Sequence, residues 1–156
     1  MVYKQRRSLS LSTWLTYHER GASLVETTLV SVFLLLLVGG MVDLGGAFQN
    51  YIIVTNAARE GARAAARLPC KADNRVALRA AIVQASLDEA AGSNVVLAAT
   101  DIVIAPDPVS EGCAAAGEPI EVTVMVSYQT LLGSLWGGGA AITVRNSATM
   151  AYAGAD

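Results

Sequence analysis

Apolar positions follow three different spacings along this chain. From Ala22 to Val42 they are nearly continuous, 21 residues with one charge, Glu26, around the block Phe33-Leu34-Leu35-Leu36-Leu37-Val38. At 1.5 Å per residue such a helix spans about 31 Å, the thickness of a bilayer hydrocarbon core. Beyond Asp43 the spacing changes to steps of three and four. Leu44, Ala47, Phe48, Tyr51, Thr55, Ala58, Ala62 and Ala65 share one helical face, while Gln49, Asn56, Glu60, Arg63 and Arg67 lie on another. The helix is therefore expected to pass the membrane boundary, marked by Asp43, and to carry a domain on its outer half. Leu68-Pro69 stops it, because the residue before a proline is pushed out of the helical region. Gly45, Gly46 and Gly61 cost helix stability, a loss that close packing against them can offset.

After Pro69 the periods shorten. Ala72-Asp73-Asn74 offers N-cap candidates for a second helix with Val76, Ala80, Val83 and Leu87 on one face, ending near Ala91-Gly92. Val95 to Ile104 reads as a strand weakened by Ala98, Ala99 and Asp101. From Ile120 to Tyr128, Ile120, Val122, Val124 and Val126 alternate with Glu121, Thr123 and Ser127, with Met125 partly covered on the polar side. Ile142 to Tyr152 alternates in the same way, except that Asn146 falls on the apolar face and marks a candidate bulge. These elements predict an α+β fold: a long N-terminal transmembrane helix, a second helix and a three-stranded antiparallel sheet. Three segments follow: a poorly ordered leader over 1–21, a span over 22–42 and an outer domain over 43–156.

Charge orients this arrangement. Residues 1–21 hold Lys4, Arg6, Arg7 and Arg20 against Glu19, a net of +3, and the remainder carries −5. A positive flank before a span faces the cytoplasm, so the domain is expected outside the cytoplasmic membrane. The outer part has no basic patch of the kind that neutralises phosphates, and nucleic acid is not an expected partner. Cys70 and Cys113 both follow the span, where disulfides are permitted, and both fall in predicted loops. A bridge would close a loop of about 42 residues and stabilise a small domain by about 2–4 kcal/mol; two free buried thiols are the alternative. Neither a CxxC pair nor a metal-ligand spacing is present. The one histidine, His18, lies in the leader, so no Ser-His or Cys-His pair can form in the domain. Asp88-Glu89 and Glu118/Glu121 read as solvated positions, and Gly137-Gly138-Gly139 lacks the Lys-Ser/Thr of a phosphate loop. No cofactor and no enzymatic activity are expected. Arg59, Arg63 and Arg67 form a stripe at spacing four, which is either a solvated face or a contact to a neighbouring subunit or anionic lipid. Trp136 with Leu131, Leu132 and Leu135 gives the loop between the last strands an apolar character.

Glu26 remains unexplained by any of this, since a carboxylate inside a span is costly and such residues have a partner and a function. Arg20-Gly21-Ala22-Ser23-Leu24-Val25-Glu26 resembles the processing site of type IV prepilins, in which a basic leader ends in Gly and a Glu stands fifth in the mature chain. With the apolar run, Val42-Asp-Leu-Gly-Gly-Ala-Phe48 and Thr55-Asn-Ala-Ala-Arg-Glu-Gly-Ala-Arg63, the region from Arg20 to Arg67 is similar to TadE-like pseudopilins of tight-adherence pilus systems. The resemblance is weaker over Val122–Tyr128 and Ser147–Met150 and absent from residues 69–118. It implies cleavage between Gly21 and Ala22 by a prepilin peptidase and a role for Glu26 in assembly. It further implies a structural function among other pilin or pseudopilin subunits, in the bilayer and then in a surface pilus. The alternatives are an uncleaved signal anchor, or signal-peptidase cleavage near Val38-Gly39-Gly40. A bitopic protein whose outer domain binds a partner without entering a filament would need neither Gly21 nor Glu26.

Overall fold

The computed structural model describes residues 12–135, 137, 139 and 141–154, with side chains from Gly21 onward. Two units are distinguished, Met1–Met41 and Val42–Asp156. Helix α1, Ser12–Arg67, supplies all the described regular structure of the first unit and the first element of the second. It begins ten residues ahead of the expected Ala22, so residues 12–20 are helical rather than irregular. Once a long apolar helix is nucleated, each added turn costs little. Among the described residues, this helix is long and apolar enough to cross a membrane. The basic residues Lys4, Arg6 and Arg7 lie outside the described residues, as do Trp136 and Gly138 and the side chains of Trp14 and His18.

In the second unit, α1 is followed by α2 (Arg75–Ala90), a single 3₁₀ turn at Ala99–Asp101, β1 (Ile102–Ala105), β2 (Pro119–Gln129), the short helix α3 (Leu131–Leu135) and β3 (Ala141–Ala151). The sheet is antiparallel in the order β1-β2-β3, and the class is α+β as expected. One core joins Val54, Ala57, Ala58, Ala62 and Ala65 of α1 with Leu78, Ile82 and Val83 of α2 and with Ile102, Ile104, Val122, Val124 and Val144 of the sheet.

The helix faces differ from those read off the sequence. On α1 the small residues are buried, whereas Leu44, Phe48 and Tyr51 are 74%, 64% and 47% exposed. Packing distance is the cause. A Cβ at Gly61 would collide with the Ser86 hydroxyl and stand 3.1 Å from a Val122 methyl, and one at Gly46 would overlap the Tyr128 ring. Only Gly admits neighbours this close at these two positions, and the alanines elsewhere on the buried face keep the approach short. On α2 the buried stripe is Leu78, Ile82, Ser86 and Ala90 with Val83, while Val76 and Ala80 are exposed. The serine in that stripe disguised it. Asn74 precedes α2 but gives it no side-chain cap; its Oδ1 accepts the Lys71 amide at 2.8 Å and its Nδ2 donates to the Pro69 carbonyl.

Two strand expectations also change. The strand expected over Val95–Ile104 is confined to Ile102–Ala105. The Asp101 carboxylate accepts the Ala98 amide at 2.9 Å and the Asp101 amide returns to the Ala98 carbonyl at 3.0 Å, closing the turn that starts the strand late. Asn146 makes no bulge, since β2 and β3 pair without interruption from Pro119↔Ala151 to Gln129↔Ala141. Its polar group is accommodated instead by donating from Nδ2 to the Thr55 hydroxyl of α1 at 2.6 Å.

Cys70 and Cys113 are disulfide-bonded, with Cα atoms 5.7 Å apart. The Tyr152 hydroxyl accepts the Cys70 amide at 2.9 Å, so the chain after α1, the loop before β2 and the chain after β3 meet at one end of the domain. Arg79 pairs with Asp107 at 2.9 Å. Burial pushes the Asp107 carboxyl upward, but the Val109 amide, the Arg79 guanidinium and the Ser110 amide outweigh it and hold its pKa below the ordinary value.

The crossing at Gly61 yields a test. Gly61→Ala gains about 1 kcal/mol in helix propensity but overpacks the crossing at a cost of about 1–3 kcal/mol. Net destabilisation is expected for Gly61→Ala alone and relief when Ser86→Ala removes the hydroxyl. Denaturation of the four chains of the double-mutant cycle should give a coupling of about 1 kcal/mol or more; additive effects would show that the two helices are not in contact there.

Candidate functional site

In the first unit every residue from Gly21 to Val38 is exposed, apolar or not. Three of its hydroxyl side chains bond within the helix: Thr27 donates to the Ser23 carbonyl, Thr28 to Leu24 and Ser31 to Thr27, at 2.7–2.8 Å. Such internal bonds suit a medium that offers none. Glu26 is exposed and has no hydrogen-bond or ion-pair partner among the described residues. At Gly21 a Cβ would meet nothing within 4 Å, so the chain's own packing does not call for glycine at that position.

The second unit opens with a residue whose role the sequence concealed. Asp43, read as a boundary marker, is only 8% exposed. Its two carboxylate oxygens accept the backbone amides of Leu131 at 2.6 Å and Leu132 at 3.0 Å. The Thr130 hydroxyl accepts the Gly133 amide at 3.1 Å, and the Thr130 carbonyl accepts Ser134. The amide donors at the start of α3 are thus all satisfied, two of them by a side chain 88 and 89 residues away. Thr130 ahead of Leu-Leu-Gly was a legible cap signal, but nothing local pointed to Asp43. The Leu131 and Leu135 side chains of α3 are themselves exposed.

Arg59, Arg63 and Arg67 all point to solvent. Arg63 is 3.6 Å from Glu60, with both side chains about half exposed, a geometry worth little in water. Of the carboxylate pairs, Asp88 accepts from Gln84 at 2.7 Å and Glu118 accepts the Ala115 amide at 2.6 Å. Among the described residues no group of three or more His, Cys, Asp or Glu could hold a metal ion.

The features that stand out, Gly21, Glu26, the span, Asp43 and the close-packed Gly46 and Gly61, all precede Cys70. Residues 21–63 match the family model described as TadE-like protein. Over this stretch the chain is similar to TadE-like proteins. Neither the curated proteins nor the solved structures gave a match to the chain. The matched stretch covers the apolar segment and most of the part of α1 on which the domain packs, and it ends before α2, the disulfide and the sheet.

Asp43→Ala should strip two charge-assisted bonds from α3 and destabilise the domain by about 2–3 kcal/mol. Hydrogen exchange at the Leu131 and Leu132 amides should accelerate well beyond that of the β2 amides, with Asp43→Asn intermediate. Unchanged exchange at those two amides would mean the carboxylate does not hold the turn.

Proposed function

We propose that this chain is a minor pilin or pseudopilin of a tight-adherence-type pilus or a related secretion apparatus. The TadE-like match relates it to pilus systems, and an exposed, single-pass apolar helix suits a protein that packs through that helix. The observation that carries the finer reading is Glu26: a carboxylate fifth after Gly21, without a partner among the described residues, in a helix where the Thr27, Thr28 and Ser31 hydroxyls bond internally.

In this reading a prepilin peptidase cuts between Gly21 and Ala22 on the cytoplasmic side, and the domain of residues 43–156 lies outside the cytoplasmic membrane. The cut leaves an ammonium on Ala22, four residues and about 6 Å along the helix from Glu26. An unpaired carboxylate at this depth costs about 2.5–3.5 kcal/mol by insertion scales. Its partner is either the ammonium of its own chain or that of a neighbouring subunit; the second pairing recovers the cost and also fixes the axial register of two packed helices. The role is structural and needs no cofactor. The Arg59, Arg63 and Arg67 stripe begins 16 residues beyond Asp43, about 24 Å along the helix. That distance exceeds a head-group layer of roughly 5–8 Å, which argues against lipid and leaves a subunit contact or a solvated face.

Two experiments test this. Replacing Gly21 by Leu should leave a membrane-bound precursor about 21 residues longer than the wild-type product, read by intact mass; a wild-type chain beginning at Met1 or after Gly40 would refute the processing. Glu26→Gln should leave cleavage and insertion intact but lower the fraction of processed protein recovered with sheared surface filaments. Equal recovery would favour a bitopic protein that never enters a filament.

A further inference from the structure

Charge is unevenly placed in the domain. Residues 44–58, 90–100 and 122–144 contain no Asp, Glu, Lys or Arg. These stretches are far apart in sequence, yet the fold brings parts of each together at one end. Asp43 bonds to Leu131 and Leu132, Tyr128 lies against Gly46, and a groove of about 500 Å³ is lined by Val42, Gly46, Asn50, Val96, Ser127 and Tyr128. This is the end at which the apolar segment joins the domain, because Val42 and Asp43 are the first residues after it. The one charge there, Asp43, is buried under the amides of α3. The same end exposes Leu44 at 74%, Val96 at 89%, Leu131 at 51% and Leu135 at 79%, beside the uncharged polar side chains Gln49, Asn94, Ser127 and Gln129.

A water-facing surface of a small domain ordinarily carries charges of both signs over about a quarter to a third of its residues. An end without them, studded with exposed aliphatic side chains, marks contact with another apolar phase. We infer that this end of the domain is seated in the interfacial layer of the bilayer, with α3 and the Val96 loop as its lipid contacts. The occupant is lipid because Asp43 follows the apolar segment directly in the chain, and its carboxylate holds α3. Head groups lie within reach of residue 43 whichever side of the membrane the domain occupies. Burying Asp43 rather than exposing it removes the one charge that would oppose this seating. The inference rests on the membrane-spanning reading of α1 and is independent of processing or filament entry.

The test uses the full chain, purified without reductant and reconstituted in vesicles of phosphatidylcholine with phosphatidylglycerol. Flotation first establishes that the span is inserted. Nitroxide labels are placed singly at Leu135→Cys, Val96→Cys and, as a control in the loop near the disulfide, Glu111→Cys. The ratio of oxygen to nickel-chelate accessibility should be several-fold higher at 135 and 96 than at 111. Leu131→Lys combined with Val96→Lys, both at exposed positions, should bring the ratio at 135 close to that of the control while leaving thermal unfolding in detergent unchanged. Aqueous values at 135 and 96 in chains that float would overturn the inference. So would labels that become shielded only when other subunits are present, which would assign the surface to protein.

Discussion

The Asp43 carboxylate accepts the Leu131 and Leu132 amides at the point where a helix suited to lipid becomes one suited to protein packing. Before it, the side chains are mostly large, apolar and exposed, and the hydroxyls of Thr27, Thr28 and Ser31 bond back to their own helix. After it, the helix face in use is Gly46, Val54, Ala57, Ala58, Gly61, Ala62 and Ala65, so narrow that the sheet and α2 touch its backbone. A carboxylate at this junction serves both sides: it ends the apolar run and binds the far end of the chain, 88 residues on, to the start of the domain.

The opposite end of the domain is secured differently. The Cys70–Cys113 bridge and the Tyr152 hydroxyl on the Cys70 amide join three segments that carry little regular structure. A covalent tie at this end complements the hydrogen-bonded tie at Asp43. Between the two ties lies an uninterrupted β2–β3 ladder of eleven paired residues, long enough to reach from one to the other.

The proposed pilin role and the lipid-seated base make different demands on the same helix. Glu26 is left without an internal partner among the described residues, which suits a contact made only on assembly. Asp43 is fully engaged within the chain, which suits a fixed platform. An assembly subunit needs both, because a filament register is useful only if each domain is held at a defined height on its helix.

The sequence by itself determined the elements whose signal is local. The apolar run, the stop at Leu68-Pro69, the α+β class and the alternating strands β2 and β3 follow from period and turn chemistry, because those depend on neighbouring residues. The two cysteines in loops were likewise legible as a candidate bridge. The tertiary structure alone decided which faces are buried. Ser86 and the alanines of α1 are chosen over Val76, Phe48 and Tyr51 because the depth of a helix crossing depends on the partner at Gly61, which no helix period records. It also decided that Asn146 completes a bond to Thr55 rather than a bulge, and that the Ala98–Asp101 turn delays β1. The role of Asp43 was hidden for the same reason. Its partners lie 88 and 89 residues away, and only the folded chain brings a carboxylate to amides at that separation.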